Sequence, residues 1–325
     1  KKGKGTWSGQ RTIALNKHMG EGLRFRNKMA YDLIKGIDQM MGLQTQFVHL
    51  YVKDLTNSAS GVFEDYGLYT QVEQLNKTAL KTHGVDPNGQ LYKINSFEFY
   101  RHEDVIRLTS DPAYDQTAFE KLLEIKGNSD HSKLIKMLDT LNDETASMND
   151  QLFTRYFDIE NIAYWMAFQL LTGNTDTQNR NVYLYSPQNS SKWYLWDWDN
   201  DGMLRRRERE IIQFSDSESW ERGVSNYWGN ILFRRCLQTQ SYRDMLDAAM
   251  KELFAYMNEA RIQPMLEHYR SVTEKYVWQM PDQMNVPITH DEYENVLQSI
   301  WPEIEENYNY YWEIYRKPMP FYIGV

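Results

Sequence analysis

Two short stretches decide the fold of this chain: GNTDTQNRNVYLY at 173–185 and WYLWDWDNDG at 193–202. Within and beside them, the runs NVYLY (181–185) and KWYLW (192–196) alternate aromatic and branched residues as β-strands do. The segment between the two runs is polar and contains proline, which is typical of a turn. Together the two stretches predict a β-hairpin.

The polar ends of this hairpin carry side chains that suit phosphoryl transfer. That reaction needs one carboxylate to orient or deprotonate the attacking hydroxyl, and an amide oxygen with a second carboxylate to hold magnesium. Asp176 lies five positions before Asn181, and Asp197 ends the second strand, as in the catalytic loop and metal-binding motif of protein kinases. The His-Arg and Phe-Gly neighbours of ordinary kinase motifs are absent. Because an Asp and an Asn at this spacing are on their own more typical of turns and caps, the prediction depends on the hairpin.

The same acidic residues also match a twelve-residue calcium-binding loop. The first, third, fifth, sixth, eighth and twelfth positions of that loop correspond to Asp197, Asp199, Asp201, Gly202, Leu204 and Glu208. Two features disagree with an EF-hand: KWYLW predicts a strand where the incoming helix should be, and the arginines at 205–207 fall in the second half of the loop. A divalent cation at Asp197 and Asp199 is expected under either hypothesis.

A third hypothesis uses Asp197 and Asp199 as the acid and the base of a carbohydrate-active protein. Alternate residues on a continuing strand project to the same side of the sheet. We therefore expect the two carboxylates to point the same way, which suits a shared cation at least as well as separate roles on either side of a sugar.

The hairpin divides the chain into a mixed front part and a helical back part. In front of it, the predicted elements are one amphipathic helix within 23–37 and strands at 11–17, 47–52, 67–72 and 90–94. From about residue 115 the helical period dominates, with Asp158 as the cap of one strong helix and Thr289 opening another with a capping-box sequence. This order of elements predicts an α+β fold.

Composition and charge exclude several classes of protein. The 45 acidic and 36 basic side chains give a net charge of −9, which disfavours a nucleic-acid binder because such proteins usually carry a basic excess. The single cysteine, Cys236, excludes an intramolecular disulfide. Since no apolar run approaches the ~20 residues needed to cross a bilayer, no membrane span is expected in this chain.

Several segments, taken together, resemble the CotH family of atypical protein kinases, which is found on bacterial spores and in extracellular bacterial proteins. The segments are RNKMAYDLI (26–34), GLYTQVEQ (67–74), GQLYK (89–93), YFDIENIAYWMAFQLLTGNTDTQNRNVYLY (156–185) and WYLWDWDND (193–201). They look like the family's Arg-Asn-Lys-led helix, its Gly-x-Tyr strand with a following Glu, its Leu-Tyr-Lys segment, and its Asp…Asn-x-Tyr-x-Tyr…Trp-Asp-x-Asp core. The resemblance covers about residues 5–205.

The resemblance implies a kinase-like fold of two lobes, with a β-rich lobe containing one helix over residues 1–95 and a mainly helical lobe over 96–325 that carries the hairpin. It implies ATP and Mg²⁺ in the cleft, with Ca²⁺ or Mn²⁺ as alternative ions. The implied activity is transfer of the γ-phosphoryl group of ATP to Ser or Thr of a coat, cell-surface or secreted protein, outside the cytoplasm. The alternative is a non-catalytic coat or extracellular module with a structural calcium site at 197–208.

The resemblance also implies roles for individual residues. Asp176 would position the acceptor hydroxyl. Asn181 and Asp197 would bind the metal ion, and Asp199 would support it. Glu73, which follows the strand GLYTQV, would lie near the adenine.

The residue that would bind the phosphates matches the family least well. The family has a lysine-bearing strand after a glycine-containing stretch, whereas the corresponding strand here is RTIALNK, with Arg11 where lysine is expected. Arginine neutralises phosphate but does not have the geometry of lysine. Lys17 and Lys93 are the alternatives. This departure predicts weakened nucleotide binding and allows for loss of kinase activity.

Overall fold

The computed structural model of the chain describes residues 9–10, 12–56, 61–213 and 223–315. These residues form two small antiparallel β-sheets and many helices, so the predicted α+β fold class is confirmed. Arg11 lies outside the described residues, and its predicted contact with phosphate therefore stays a prediction.

The first sheet contains three of the four strands that the sequence predicts at the front of the chain. β1 (Ala14–Asn16), β2 (Thr45–Val52) and β3 (Glu64–Val72) are arranged in the order β1-β3-β2. Helix α1 (Arg26–Ile34) connects β1 to β2, and α2 (Lys77–Thr82) follows β3. The apolar residues that the helical period predicts to be buried in α1 are buried.

The second sheet is built around the predicted hairpin. β4 (Gln90–Ile94), β5 (Leu123–Ile125), β6 (Val182–Ser186) and β7 (Tyr194–Asp197) are arranged in the order β5-β4-β6-β7, and β6 and β7 form the hairpin. β4 lies before the domain boundary predicted at residue 95, yet it pairs with β5 and β6, which lie after it. The sheet thus joins the two predicted segments, and the division of the chain into domains stays a prediction.

The register of this sheet decides which way its functional side chains point. Val182 pairs with Asp197, and Lys93 pairs with Tyr183. Because side chains alternate along a strand, Asp197 faces one side of the sheet and Lys93 the other. Asp197 accepts a hydrogen bond from a residue of the central helix described below, so its face of the sheet packs against that helix.

The back part of the chain is helical, as the sequence predicts. Its helices are α3 (Gln116–Leu122), α4 (Ser132–Asn142), α5 (Ile159–Leu171), α6 (Arg206–Ile211), α7 (Ile231–Gln238), α8 (Gln240–Tyr256), α9 (Glu259–Val277), α10 (His290–Gln298) and α11 (Ile300–Tyr310). Thr289 and Glu292 form the predicted capping box at the start of α10. In the part of the chain that the structure describes, no helix is both long and apolar enough to span a membrane.

Helix α5 is the central element of the back part and holds the hairpin in place. Asp158 caps it as predicted, accepting a hydrogen bond from the Asn161 amide at 3.0 Å. Every residue from 161 to 171 is buried, as expected for a helix that is apolar on all sides. The Asn161 side chain accepts a hydrogen bond from the Leu195 amide at 2.7 Å and donates one to the Leu195 carbonyl at 3.2 Å. These bonds fix β7 against α5.

Candidate active site

The hairpin brings two polar loops together at one end of the second sheet. The first, the Asp176 loop, is residues 174–181 and precedes β6; the second, the acidic loop, is residues 197–202 and begins at the last residue of β7. The Trp198 amide donates a hydrogen bond to the Asn181 carbonyl at 3.1 Å, one pair beyond the end of the strand ladder. The two loops therefore lie side by side, as the sequence predicts.

Asp176 and Asn181 are in direct contact within the first loop. The Asn181 amide nitrogen donates to Asp176 Oδ2 at 2.9 Å, and Arg180 forms an ion pair with Asp176 Oδ1. Asn181 has a φ of +56°, a left-handed conformation that asparagine tolerates better than most residues. The Asp176 side chain is 39% exposed, so a substrate hydroxyl can reach its carboxylate.

A segment that follows the acidic loop holds the Asp176 loop in place. The Asn226 side chain donates to the Thr175 carbonyl at 3.0 Å, and the Asn230 side chain donates to the Gln178 carbonyl at 2.8 Å. A backbone loop without secondary structure needs such side-chain partners for its polar groups. The loop that carries Asp176 is therefore anchored at two of its carbonyls.

Asp197 is a buried carboxylate whose two oxygens differ in their partners. Its Oδ1 accepts a hydrogen bond from Gln169 of α5 at 2.6 Å, whereas its Oδ2 is buried and has no hydrogen bond of standard geometry among the described residues. Burial raises the pKa of Asp197 to about 7, and interactions with the Trp165 indole N–H and the Gln169 amide offset only part of that rise. A buried carboxylate oxygen with so little hydrogen bonding suits a cation ligand, because an ion would supply the missing positive charge.

Asp199 does not continue the strand, which corrects one expectation. β7 ends at Asp197, and Asp199 has a φ of +58°, so the two carboxylates do not project in parallel from a continuing strand. Burial and the neighbouring Asp201 raise the pKa of Asp199 to about 6, while His18 and Lys93 act in the opposite direction. Asp199 thus lies in a crowded acidic environment that a cation would stabilise.

These carboxylates fit a divalent cation by type but do not form a closed cage. Within the described ranges, the one trio of His, Cys, Asp or Glu with ligand atoms all within 4.8 Å is Glu274, His290 and Glu294. Arg270 already neutralises that trio, because its guanidinium contacts Glu274 at 3.0 Å and Glu294 at 2.5 Å. At the two loops, a Mg²⁺ ion would be held by carboxylate and amide oxygens together with water and phosphate, which is the usual ligand set of this ion.

Of the two described lysines proposed for phosphate, Lys93 lies beside the acidic loop. Its positive charge lowers the pKa of Asp199, and its Nζ lies 5.7 Å from the centre of the Trp198 ring. Lys17 is engaged elsewhere: its Nζ forms an ion pair with Asp282 at 3.0 Å and donates to the Tyr66 carbonyl. Lys93 thus lies at the acidic loop, whereas Lys17 is held by Asp282 and by the Tyr66 carbonyl of β3.

Glu73 is buried at the end of β3 and holds neighbouring segments together. One of its oxygens lies 2.7 Å from His83 Nε2 and accepts a hydrogen bond from the Gln44 amide at 3.1 Å. Burial raises the pKa of Glu73, but these partners lower it below its usual value. The side chain therefore connects β3 to adjacent segments, and its position near an adenine stays a prediction.

The calcium loop lacks its twelfth ligand in this fold. Glu208 is fully buried, with Oε2 at 2.8 Å from Arg26 and Oε1 at 2.7 Å from Arg205. Both carboxylate oxygens are therefore neutralised by arginine. The last three residues of KWYLW lie in strand β7, where an EF-hand would have its incoming helix.

Sequence reasoning missed two polar residues beside the predicted set. Gln169 bridges the two loops, because it donates to Asp197 and accepts from Asn174 at 3.1 Å. A glutamine near the end of a largely apolar helix was the available signal.

His18 is the second of these residues. It is buried with Nδ1 at 3.7 Å from Asp201, and its Nε2 has no partner within the described residues. No spacing in the sequence points to that contact.

Comparison with known families identifies one match. The family model described as CotH kinase protein matches residues 1–311, which is nearly the whole chain. No curated protein matches the chain.

Proposed function

The chain belongs to the CotH kinase family, and from this premise we propose that it transfers the γ-phosphoryl group of ATP to a serine or threonine hydroxyl of a protein. One observation carries the proposal more than any other. The hairpin places the bonded pair Asp176 and Asn181 beside the acidic loop of Asp197 and Asp199, through the hydrogen bond from the Trp198 amide to the Asn181 carbonyl.

The residues divide into a metal-binding group and a group that acts on the acceptor. Asn181 uses its amide nitrogen on Asp176, which leaves its amide oxygen for a cation. Asp199 and Oδ2 of Asp197 supply carboxylate oxygens from the other loop. A bound Mg²⁺ ion would neutralise phosphate charge and orient the γ-phosphoryl group.

In the proposed step, the acceptor oxygen attacks the γ-phosphorus and the bond between that phosphorus and the bridging oxygen of ADP breaks. Asp176 orients the acceptor hydroxyl and takes its proton. Lys93 lies on the opposite face of the sheet from Asp197 but beside Asp199, and in this proposal it contacts the phosphate oxygens from that side and balances their charge. Most of the rate enhancement then comes from positioning the reactants and from stabilising their charge, because the protein forms no covalent bond with the phosphoryl group in this step.

The same proposal includes the arrangement of the lobes and the class of acceptor protein. We propose two lobes over residues 1–95 and 96–325, joined by the second sheet, with ATP between them. The proposed acceptors are coat, cell-surface or secreted proteins, since the family name connects the chain to a spore-coat kinase group.

The proposal is tested by transfer of labelled γ-phosphate from ATP with Mg²⁺ or Mn²⁺, both to the protein itself and to dephosphorylated casein. Asp176→Ala removes the group that takes the proton, so we expect transfer to fall by about 10²–10⁴-fold. Asp197→Ala removes a metal ligand, and we expect a loss of at least the same order. Circular dichroism establishes that each variant is folded.

Asp104→Asn serves as the matched control, because Asp104 is exposed and distant in sequence from both loops. We expect this variant to transfer phosphate at the wild-type rate. Wild-type activity in Asp176→Ala would show that the assignment of roles is wrong, and absence of transfer in the wild-type protein with either ion would contradict the kinase proposal itself.

A further inference from the structure

Helix α1 contacts the backbone of the acidic loop through two side chains one turn apart. Tyr31 Oη accepts a hydrogen bond from the Asp199 amide at 3.2 Å, and Asn27 Oδ1 accepts one from the Asn200 amide at 3.0 Å. Residues four apart on a helix share a face, so the two acceptors lie together on α1. Both side chains are buried.

A third residue of α1 holds the far end of the same segment. Arg26 Nε donates to the Leu204 carbonyl at 3.0 Å. The guanidinium is itself fixed, because it contacts Glu21 at 3.1 Å and Glu208 at 2.8 Å in a fully buried cluster. The segment from Asp199 to Leu204 is therefore attached to α1 at both ends.

The backbone conformation of this segment needs such support. Asp199 and Leu204 have φ values of +58° and +51°, a left-handed conformation that aspartate tolerates and that is unfavourable for leucine. Residues in these conformations persist where their surroundings hold them, and they concentrate at functional sites. The strand ladder ends at Asp197, so the amides of Asp199 and Asn200 have α1 rather than a neighbouring strand as their partner.

We propose that Asn27 and Tyr31 are positioning residues that hold the acidic loop in the conformation that binds a divalent cation. The inference rests on the proposed function, because the cation is the one that the proposed reaction uses. Neither side chain touches the cation or the substrate. Each acts through a backbone amide of Asp199 or Asn200, and thereby sets the direction of the Asp199 carboxylate.

The test compares two tyrosine variants that each remove one hydroxyl bonded at α1. Tyr31→Phe keeps the buried ring and deletes the acceptor of the Asp199 amide. Tyr269→Phe is the matched control, because its hydroxyl donates to Asp32 of the same helix at 2.7 Å without contacting the acidic loop. Two measurements are made on folded protein: amide hydrogen exchange at residues 199 and 200, and the dissociation constant for Mn²⁺ from its electron paramagnetic resonance signal.

We expect Tyr31→Phe to speed exchange of the Asp199 amide by about tenfold and to weaken Mn²⁺ binding by about three- to tenfold, the effect of losing one buried hydrogen bond. Tyr269→Phe should leave both quantities unchanged. Unchanged exchange in Tyr31→Phe overturns the inference, and so does faster exchange with wild-type Mn²⁺ affinity. If the wild-type protein binds no Mn²⁺ with or without ATP, the proposed function fails and the inference fails with it.

A second pair of variants covers the case in which Tyr31→Phe does not fold. Asn27→Ala removes the acceptor of the Asn200 amide, whereas Asn27→Asp keeps an oxygen at that position. We expect Asn27→Ala to speed exchange at residue 200 and weaken Mn²⁺ binding, and Asn27→Asp to restore the protection of that amide. Equal protection in the two variants overturns the inference.

Discussion

At the scale of single residues, the structure separates two lysines that look equivalent in the sequence. The Lys93 side chain lies beside Asp199 and Trp198, and its amino group has no ion pair or hydrogen bond among the described residues. Lys17 is bound to Asp282, whose other oxygen accepts the Leu68 amide of β3 at 2.7 Å. A lysine side chain without an ion pair is available to bind phosphate. A lysine paired with a buried carboxylate instead stabilises the folded state.

We therefore predict opposite effects for two substitutions. Lys93→Met should weaken ATP binding by about tenfold or more, since a direct charge contact is lost, and change the melting temperature little. Lys17→Met should lower the melting temperature, because it leaves the buried Asp282 carboxylate without its closest cation. Calorimetric titration with ATP and thermal denaturation measure the two quantities.

Lys121→Met is the control for both measurements, because Lys121 is exposed on α3. Its ATP affinity and melting temperature should match those of the wild-type protein. Weakened ATP binding in Lys17→Met, together with wild-type affinity in Lys93→Met, would move the phosphate contact to Lys17.

At the scale of elements, the sequence predicted the hairpin, α5 and the cap of α10 because each depends on a local pattern. Alternation of period 2 and a helical period of 3.6 are visible within ten residues. Strand β5 was missed because it has only three residues and directly follows α3, which is too short a run to show alternation.

The junction of α5 and β7 yields a prediction about stability. Asn161 contacts both backbone groups of Leu195 and also donates to the Gln39 carbonyl at 2.9 Å. Asn161→Ala should lower the free energy of unfolding by about 2–4 kcal/mol, since it leaves buried backbone groups without partners. Denaturant titration measures this loss.

Asn295→Ala is the comparison, because Asn295 is an exposed position inside α10. Alanine favours helix, so this variant should be neutral or slightly more stable than the wild-type protein. A loss in Asn161→Ala no larger than that of the exposed variant would show that the junction contributes little.

Helix α11 carries a buried carboxylate that makes stability depend on pH. Burial raises the pKa of Glu303 from 4.5 to about 7, and Arg206 and Arg26 offset only part of this. Between these values the folded state keeps the proton that the unfolded state loses, so this contribution to stability falls as pH rises from 4.5 to 7 and is constant above. Glu303→Gln cannot titrate. Relative to it, the wild-type protein should lose about 3 kcal/mol of unfolding free energy between pH 4 and pH 8.

The measurement is denaturant unfolding of both proteins across that pH range. Glu305→Gln is the control for the substitution itself, because Glu305 is exposed on the same helix. A difference between Glu303→Gln and the wild-type protein that stays constant across this pH range would contradict a raised pKa for Glu303.

At the scale of the whole molecule, ligand binding should stabilise the fold selectively. A ligand that binds only the folded state at 100 times its dissociation constant adds about 2.7 kcal/mol, so MgATP should raise the wild-type melting temperature by several degrees. Asp199→Asn should show a much smaller rise. Calcium alone should have little effect, because both Glu208 oxygens are bound by arginine. Thermal denaturation with MgATP and with calcium alone distinguishes a nucleotide-binding protein from a calcium-binding one.

Stabilisation by calcium alone, with no response to MgATP, would instead support a non-catalytic module with a structural ion. Comparing each variant with itself, with and without ligand, removes the effect of the substitution on the free protein. This comparison matters for Asp199, because replacing a carboxylate whose pKa is raised by burial and by Asp201 relieves repulsion in the absence of ions.

The α+β class, the hairpin and the resemblance to CotH kinases follow from the sequence alone, because these depend on short periodic patterns and local motifs. The departure of Asp199 from the strand, the arginine partners of Glu208, and the partners of Lys17 and Glu73 appear only in the folded chain. The contacts of α1 with the acidic loop join residues 168 and 173 positions apart. Such contacts leave no local period in the sequence, because they depend on how separate elements pack in three dimensions.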